Sequence, residues 1–302
     1  MKSLEHYIKS TQTQIFKELY SQYIGCYCHD KAYVLVPGNA PVMLVAHLDT
    51  VHKEQVKIIC KSEHGRILMS PQGIGGDDRC GVYALNAIYA MAKVKPWLLF
   101  TCDEEIGGVG ADIFASDFVK GNLPEGLKDL KLLIEIDRKG HNDAVFYDCD
   151  NPAFEAYINS KGFVTDWGSF SDISIIAPEL GVAAVNLSSG YYNAHTLYEY
   201  IDFGHLENTI NRVLEIVEES PKLPQYQYIE AKTSFWSTRY YSSKDLPKDV
   251  EDEYIELLDF YSEEELEEIR NELGDNGIHQ LFQYEFGGTQ YENYKGNNLK
   301  RF

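Results

Sequence analysis

The sequence predicts an α/β fold, a mostly parallel mixed sheet held between helices in three αβα layers, and three observations carry that reading. Short apolar segments alternate with helical patterns through the first two-thirds of the chain. Several of those segments are apolar without a break, as strands buried on both faces are. Acids and histidines recur just past the carboxyl ends of those segments, where open α/β sheets bind ligands. Strands that alternate with helices pack as one sheet covered on both sides.

The elements follow in chain order. Leu4, Ile8, Ile15, Phe16, Leu19 and Ile24 fall at helical spacing and predict a helix over 4–24. Residues 32–36 and 42–46 read as strands, the second running into His47, and 66–70 reads as another. The pattern over 79–92 is helical, with Val82, Leu85, Ile88, Tyr89 and Ala92 inward. A continuous apolar strand over 97–101 leads through a glycine-bearing loop to a helix over 111–119. The strand over 132–136 ends at Asp137. A helix over 152–160, a strand over 182–186 and a long amphipathic helix over 205–218 complete the set, the last with Leu206, Ile210, Val213, Leu214 and Val217 inward.

Pro221 and Pro224 mark a boundary. The predicted organisation is a catalytic domain over 1–220 and an acidic, Tyr-rich accessory extension over 221–302. Within the extension, Ser262 followed by Glu263, Glu264 and Glu265 forms a capping-box pattern. It opens a helix with Leu266, Ile269 and Leu273 on one face, and Gly274 ends it. No fold is assigned to 283–302.

Composition narrows the function. With 302 residues, 44% apolar and 25% charged, the chain has an ordinary soluble globular make-up. It has no apolar run near the 18 residues of a membrane span. The stretch Met1-Lys2-Ser3-Leu4-Glu5-His6 lacks the apolar core of an export signal, which predicts a cytoplasmic protein. Six scattered cysteines read as reduced thiols. A net charge of −20 argues against nucleic acid or an anionic membrane as partner. The 14 acids and 2 bases between Asp245 and Asp275 supply −12 of that charge, so the rest is only mildly acidic.

The chemistry lies at the strand ends. His47 and Asp49 follow one apolar strand, and Asp77 and Asp78 sit between a Gly-Ile-Gly-Gly turn and a helix. Glu104 and Glu105 follow a third segment, Asp137 ends a fourth, and His195 lies in a loop after a fifth. Two divalent metals about 3.5–4 Å apart need one bridging carboxylate and terminal imidazole and carboxylate ligands. Asp77 suits the bridge and His47 and Glu105 the ends, while Asp137 and His195 serve the second metal or share the two. These donors suit Zn²⁺ better than Mg²⁺, with Co²⁺ or Mn²⁺ as alternatives. Asp49 is placed to fix the His47 tautomer. Of the carboxylate pair, Glu105 is assigned as ligand and Glu104 as the base that moves the proton.

Taken together, His47-Leu48-Asp49-Thr50-Val51, Gly76-Asp77-Asp78-Arg79-Cys80-Gly81, Asp103-Glu104-Glu105-Ile106-Gly107, Asp137, and Ala194-His195-Thr196 with Glu199 resemble the co-catalytic zinc exopeptidase superfamily. That group includes the glutamate carboxypeptidases, tripeptidase T and the leucine and tetrahedral aminopeptidases. The motifs occur in the expected order over 42–202. The resemblance implies a zinc exopeptidase-like fold with two zinc ions per chain. It implies His47, Asp77, Glu105, Asp137 and His195 as ligands, Glu104 as base and Asp49 as support. It points to Tyr191 or Tyr192 as an oxyanion donor. Lidded members carry an inserted domain before the final histidine. Here residues 138–194 are already filled by predicted elements, so the lid is expected to be absent.

The expected activity is metal-dependent cleavage of an amide, foremost the terminal peptide bond of a small peptide, by water activated between two zinc ions. The alternatives are an amidohydrolase acting on N-acyl amino acids and a catalytically silent binding module. Which end of the peptide is cut, and the oligomeric state, stay open. Arg138, like Arg79, is a candidate for holding a substrate carboxylate, with a structural role equally open. Asp78 reads as a helix N-terminal charge. Cys26, Cys28 and His29 lack a second cluster to complete a metal tetrad, and Cys80 and Cys102 read as small buried apolar groups.

Overall fold

The computed structural model describes residues 2–168 and 170–231, together with eight single positions between Tyr254 and Leu281. The chain divides into two compact units, Met1–Lys232 and Thr233–Phe302.

In the first unit α1 (Leu4–Ile8) and α2 (Gln12–Gln22) precede the strands β1 (Tyr27–His29), β2 (Tyr33–Val36) and β3 (Val42–His47). Then come β4 (Cys60–Lys61), β5 (Ile67–Met69), α3 (Gly76–Met91), β6 (Trp97–Thr101), α4 (Val109–Val119) and β7 (Leu132–Arg138). The remainder is β8 (Asp143–Val145), α5 (Pro152–Ser160), β9 (Val164–Thr165), α6 (Asp172–Leu180), β10 (Ala184–Ser188), β11 (Tyr191–Tyr192), β12 (Tyr200–Asp202) and α7 (Phe203–Glu219).

Eight strands form one sheet in the order β1-β2-β6-β3-β7-β10-β8-β9. Its centre, β6-β3-β7-β10, is parallel, and β2 and β8 run antiparallel on either side. All four central strands therefore end at the same edge. Side chains alternate across it. Leu44 and Ala46 of β3 join Leu85 of α3 and Val213 of α7 in one core, while Met43 and Val45 join Phe114 of α4 and Ile176 of α6 in the other. By the same alternation His47, Glu135 and Asp137 belong to the second face.

The single helix expected over 4–24 is two. Thr11 caps α2 through a reciprocal pair with Gln14, which breaks the chain after Ile8, and Ile24 lies beyond the second helix, fully exposed. The strand expected over 66–70 exists but belongs to a second, antiparallel sheet, β11-β12-β5-β4. The strand expected over 182–186 is displaced to Ala184–Ser188. α6 was not foreseen, because Pro178 and a short apolar run hide its period. Between Asp137 and His195 stand only β8, α5, β9, α6, β10 and β11, with no inserted domain among the described residues.

Residues 221–232 belong to the first unit, where Tyr226 is buried and Gln227 and Glu230 bridge to Val182 and Cys149. In the second unit Leu257, Leu266 and Ile278 form a small apolar cluster. The capping pattern at 262–265, Ile269, Leu273, Gly274 and residues 283–302 lie outside the described residues. The six cysteines are unpaired. No described helix is long and apolar enough to cross a membrane.

Gly110 fixes α4 to the sheet. Its N–H donates to the Cys102 carbonyl at 2.9 Å, and an added Cβ would run into the backbone of Ala32 and Cys102. Gly110→Ala is expected to cost about 1–3 kcal/mol, read as a lower denaturant midpoint.

Candidate metal centre

The carboxyl ends of β3, β6 and β7 deliver three of the predicted groups, the first turn of α3 delivers Asp77, and the turn after β11 delivers His195. His47 is the last residue of β3 and is fully buried. Its Nε2 lies 3.0 Å from Asp77 Oδ1 and 3.4 Å from Asp137 Oδ1. On the other side, His195 Nε2 lies 3.3 Å from Asp77 Oδ2 and 3.2 Å from Glu105 Oε2. Two triads, His47–Asp77–Asp137 and Asp77–Glu105–His195, share Asp77, and a third group joins His47 to Glu104 and Glu105, each with ligand atoms mutually within 4.8 Å. Asp77 turns one oxygen toward each imidazole. Glu104 stands beside them, its Oε2 3.9 Å from His47 Nε2.

His47, Glu105 and Asp137 are held from behind. Asp49 takes the His47 Nδ1–H at 3.2 Å, and its two oxygens accept the backbone N–H groups of Glu104 and Glu105 at 3.1 Å each. A carboxylate so placed only accepts, so a proton sits on Nδ1, and Nε2 on the other side of the ring faces Asp77 and Asp137. Asn186 accepts the Asp137 N–H at 2.9 Å, and the Tyr191 hydroxyl donates to the Asp137 carbonyl at 2.7 Å. Arg79 ties the Leu48 and Asp49 carbonyls to that of Ser10. His195 adopts φ 64°, in the left-handed region, which costs an ordinary residue about 1–2 kcal/mol.

The donors fit divalent cations. Asp137 Oδ1 and Glu105 Oε1 are buried oxygens with no hydrogen-bond partner. Such atoms are costly to leave unmatched, and a cation between the imidazoles and carboxylates would satisfy both. Two imidazoles among three carboxylates match zinc-like ions. The electrostatics agree. Burial and the neighbouring Asp77 push Asp137 up to about 7. Burial also pushes Glu104 and Asp78 well above the carboxylate range. Burial opposes charge on His195, but Asp77 and Glu105 outweigh it and carry its pKa to about 11.

The remaining predicted residues separate. The Tyr191 hydroxyl is engaged by the Asp137 carbonyl. That of Tyr192 meets His205 Nδ1 at 2.7 Å and His141 Nδ1 at 3.3 Å, and none of the five donors. Arg138 bonds Asp166 and the Trp167 carbonyl. Asp78 accepts the Gly81 N–H at 2.8 Å, inside the first turn of α3. Cys80 and Cys102 are buried, and burial pushes both thiols up. The sequence reading missed Asn186 and Glu135, although a polar residue inside an apolar strand is a visible signal for both. Glu135 accepts from Ser171 and from the Ile173 N–H and so caps α6 from a neighbouring strand.

No family model and no curated protein matches the chain. Solved structures do. The aminopeptidase PepT of Bacillus cereus superimposes with a TM-score of 0.56 at 13% identity, over 72% of this chain and 97% of that one. A tripeptidase of Staphylococcus aureus gives 0.54 at 14%, over 73% and 97%. A TET aminopeptidase of a marine-sediment thaumarchaeote gives 0.52 at 12%, over 70% and 94%. The chain shares the zinc exopeptidase-like fold of these structures.

Asp49→Ala removes the acceptor of two N–H groups and of the His47 proton. Zinc affinity, measured by chelator competition, is expected to fall about 10–100-fold.

Proposed function

We propose that the chain is a two-metal peptidase that removes the terminal residue of small peptides, acting at the amino end. The observation that carries this reading is the pair of donor triads sharing Asp77, with Glu104 beside them. The fold supports it, since the structures it resembles are named as aminopeptidases and a tripeptidase.

In this reading His47, Asp77 and Asp137 hold one divalent ion, and Asp77, Glu105 and His195 the other. Zinc is favoured, and cobalt or manganese would accept the same donors. Two ions so held supply Lewis acidity and make water nucleophilic near neutral pH. The residues do the rest. Asp49 keeps the His47 tautomer fixed and holds Glu104 and Glu105 to one orientation through their backbones. Glu104 accepts a proton from the attacking water and returns it to the leaving amine, so one carboxylate serves both halves of the reaction. Tyr191 acts at one remove, by bonding the Asp137 carbonyl.

Glu104→Gln is expected to lower kcat by about 10²–10⁴-fold while zinc content stays at the wild-type level. Retained turnover would remove Glu104 from its role. Chelation is expected to abolish hydrolysis of free-amine di- and tripeptides, and added zinc to restore it. Faster cleavage of N-acyl amino acids than of free-amine peptides would move the assignment to an amidohydrolase.

A further inference from the structure

Asp77 must present one oxygen to each triad, yet the helix it opens does not hold it. Asp77 and Asp78 have non-helical φ/ψ (−80°, 104° and −116°, 46°), and the capping position is Gly75, which has no side chain to bond back. What holds this turn is Glu199. One of its oxygens accepts the Asp77 N–H at 3.0 Å, and the other accepts the Gly75 N–H at 2.9 Å. His52 Nε2 meets the second oxygen at 2.8 Å. The Glu199 side chain is wholly buried and that of His52 is 8% exposed. Gly76, between the two bonded N–H groups, is confined as well, since a Cβ there would lie 2.7 Å from Tyr191 Cβ and 2.9 Å from Ile201 Cγ1.

The placement has a consequence for the site. Glu199 stands four residues after His195, so one short segment carries a donor of the second triad and grips the backbone of the residue both triads share. A carboxylate bonded by two N–H groups and an imidazole is a charge-assisted contact, stronger and more directional than a neutral one. The two bonded N–H groups belong to Gly75 and to Asp77 itself, so the contact fixes the backbone from which the shared carboxylate projects. We infer that Glu199, steadied by His52, is a positioning residue that aims Asp77 between the two metal ions. The inference rests on the two-metal reading given above.

The test loads metal-free protein with Zn²⁺ alone, in competition with a chromogenic chelator, and compares wild type with Glu199→Gln and His52→Ala. Glutamine keeps the volume but sets an amide N–H against one backbone N–H. Zinc affinity is expected to fall about 10–100-fold in Glu199→Gln and by a smaller factor in His52→Ala. Absorption of the Co²⁺-loaded protein is expected to shift in both, and kcat to fall with KM little changed. If Glu199→Gln binds both ions with wild-type affinity and keeps kcat and spectrum while only its melting temperature drops, Glu199 is a packing residue and the inference is overturned. Should that variant not fold, His52→Ala decides, and wild-type affinity and spectrum there overturn it. Wild-type protein that takes up no zinc would instead overturn the two-metal reading, and the inference with it.

Discussion

One carboxylate between two imidazoles organises this molecule. Asp77 lies 3.0 Å from His47 Nε2 through one oxygen and 3.3 Å from His195 Nε2 through the other. Asp137, Glu104 and Glu105 crowd the same few ångströms. Gathering that many acids where water is scarce opposes folding, because burial disfavours each charge and each charge disfavours the next. The arrangement makes physical sense as a receptacle for positive charge, and Glu105 and Asp137 each keep a buried oxygen there without a hydrogen-bond partner.

The rest of the first unit keeps the receptacle in shape. The parallel centre of the sheet brings the ends of β3, β6 and β7 to one edge. Behind these groups lies a layer of side chains that bond their backbone: Asp49 to Glu104 and Glu105, Asn186 and Tyr191 to Asp137, Glu199 to Asp77. Such a layer holds the groups in place, since side chains free to move would lose entropy each time a cation bound. The left-handed backbone at His195 fits the same account, as strain tolerated because its surroundings fix it.

How much of this was legible beforehand follows from how far each residue's neighbours lie along the chain. Central strands and α5 were readable because unbroken apolar runs and a clean period need only local sequence. That His47, Glu105 and Asp137 come together was readable because strand ends in an open sheet converge. The split of α1 from α2 was written in Thr11 and Gln14, but an apolar pattern spanning both helices masked it. The small second sheet was hidden because its strands are two or three residues long and its halves join through β12 and β5, more than a hundred positions apart. How the donors divide into two triads, and what Glu199 and Asn186 grip, are facts of three-dimensional proximity that spacing does not encode.

The most direct measurement is an anomalous difference map from crystals of the zinc-loaded protein, recorded on both sides of the zinc absorption edge. Two peaks are expected, one flanked by His47 and Asp137 and the other by Glu105 and His195, with Asp77 reaching both. A map without peaks there, or with zinc only at surface histidines, would contradict the account.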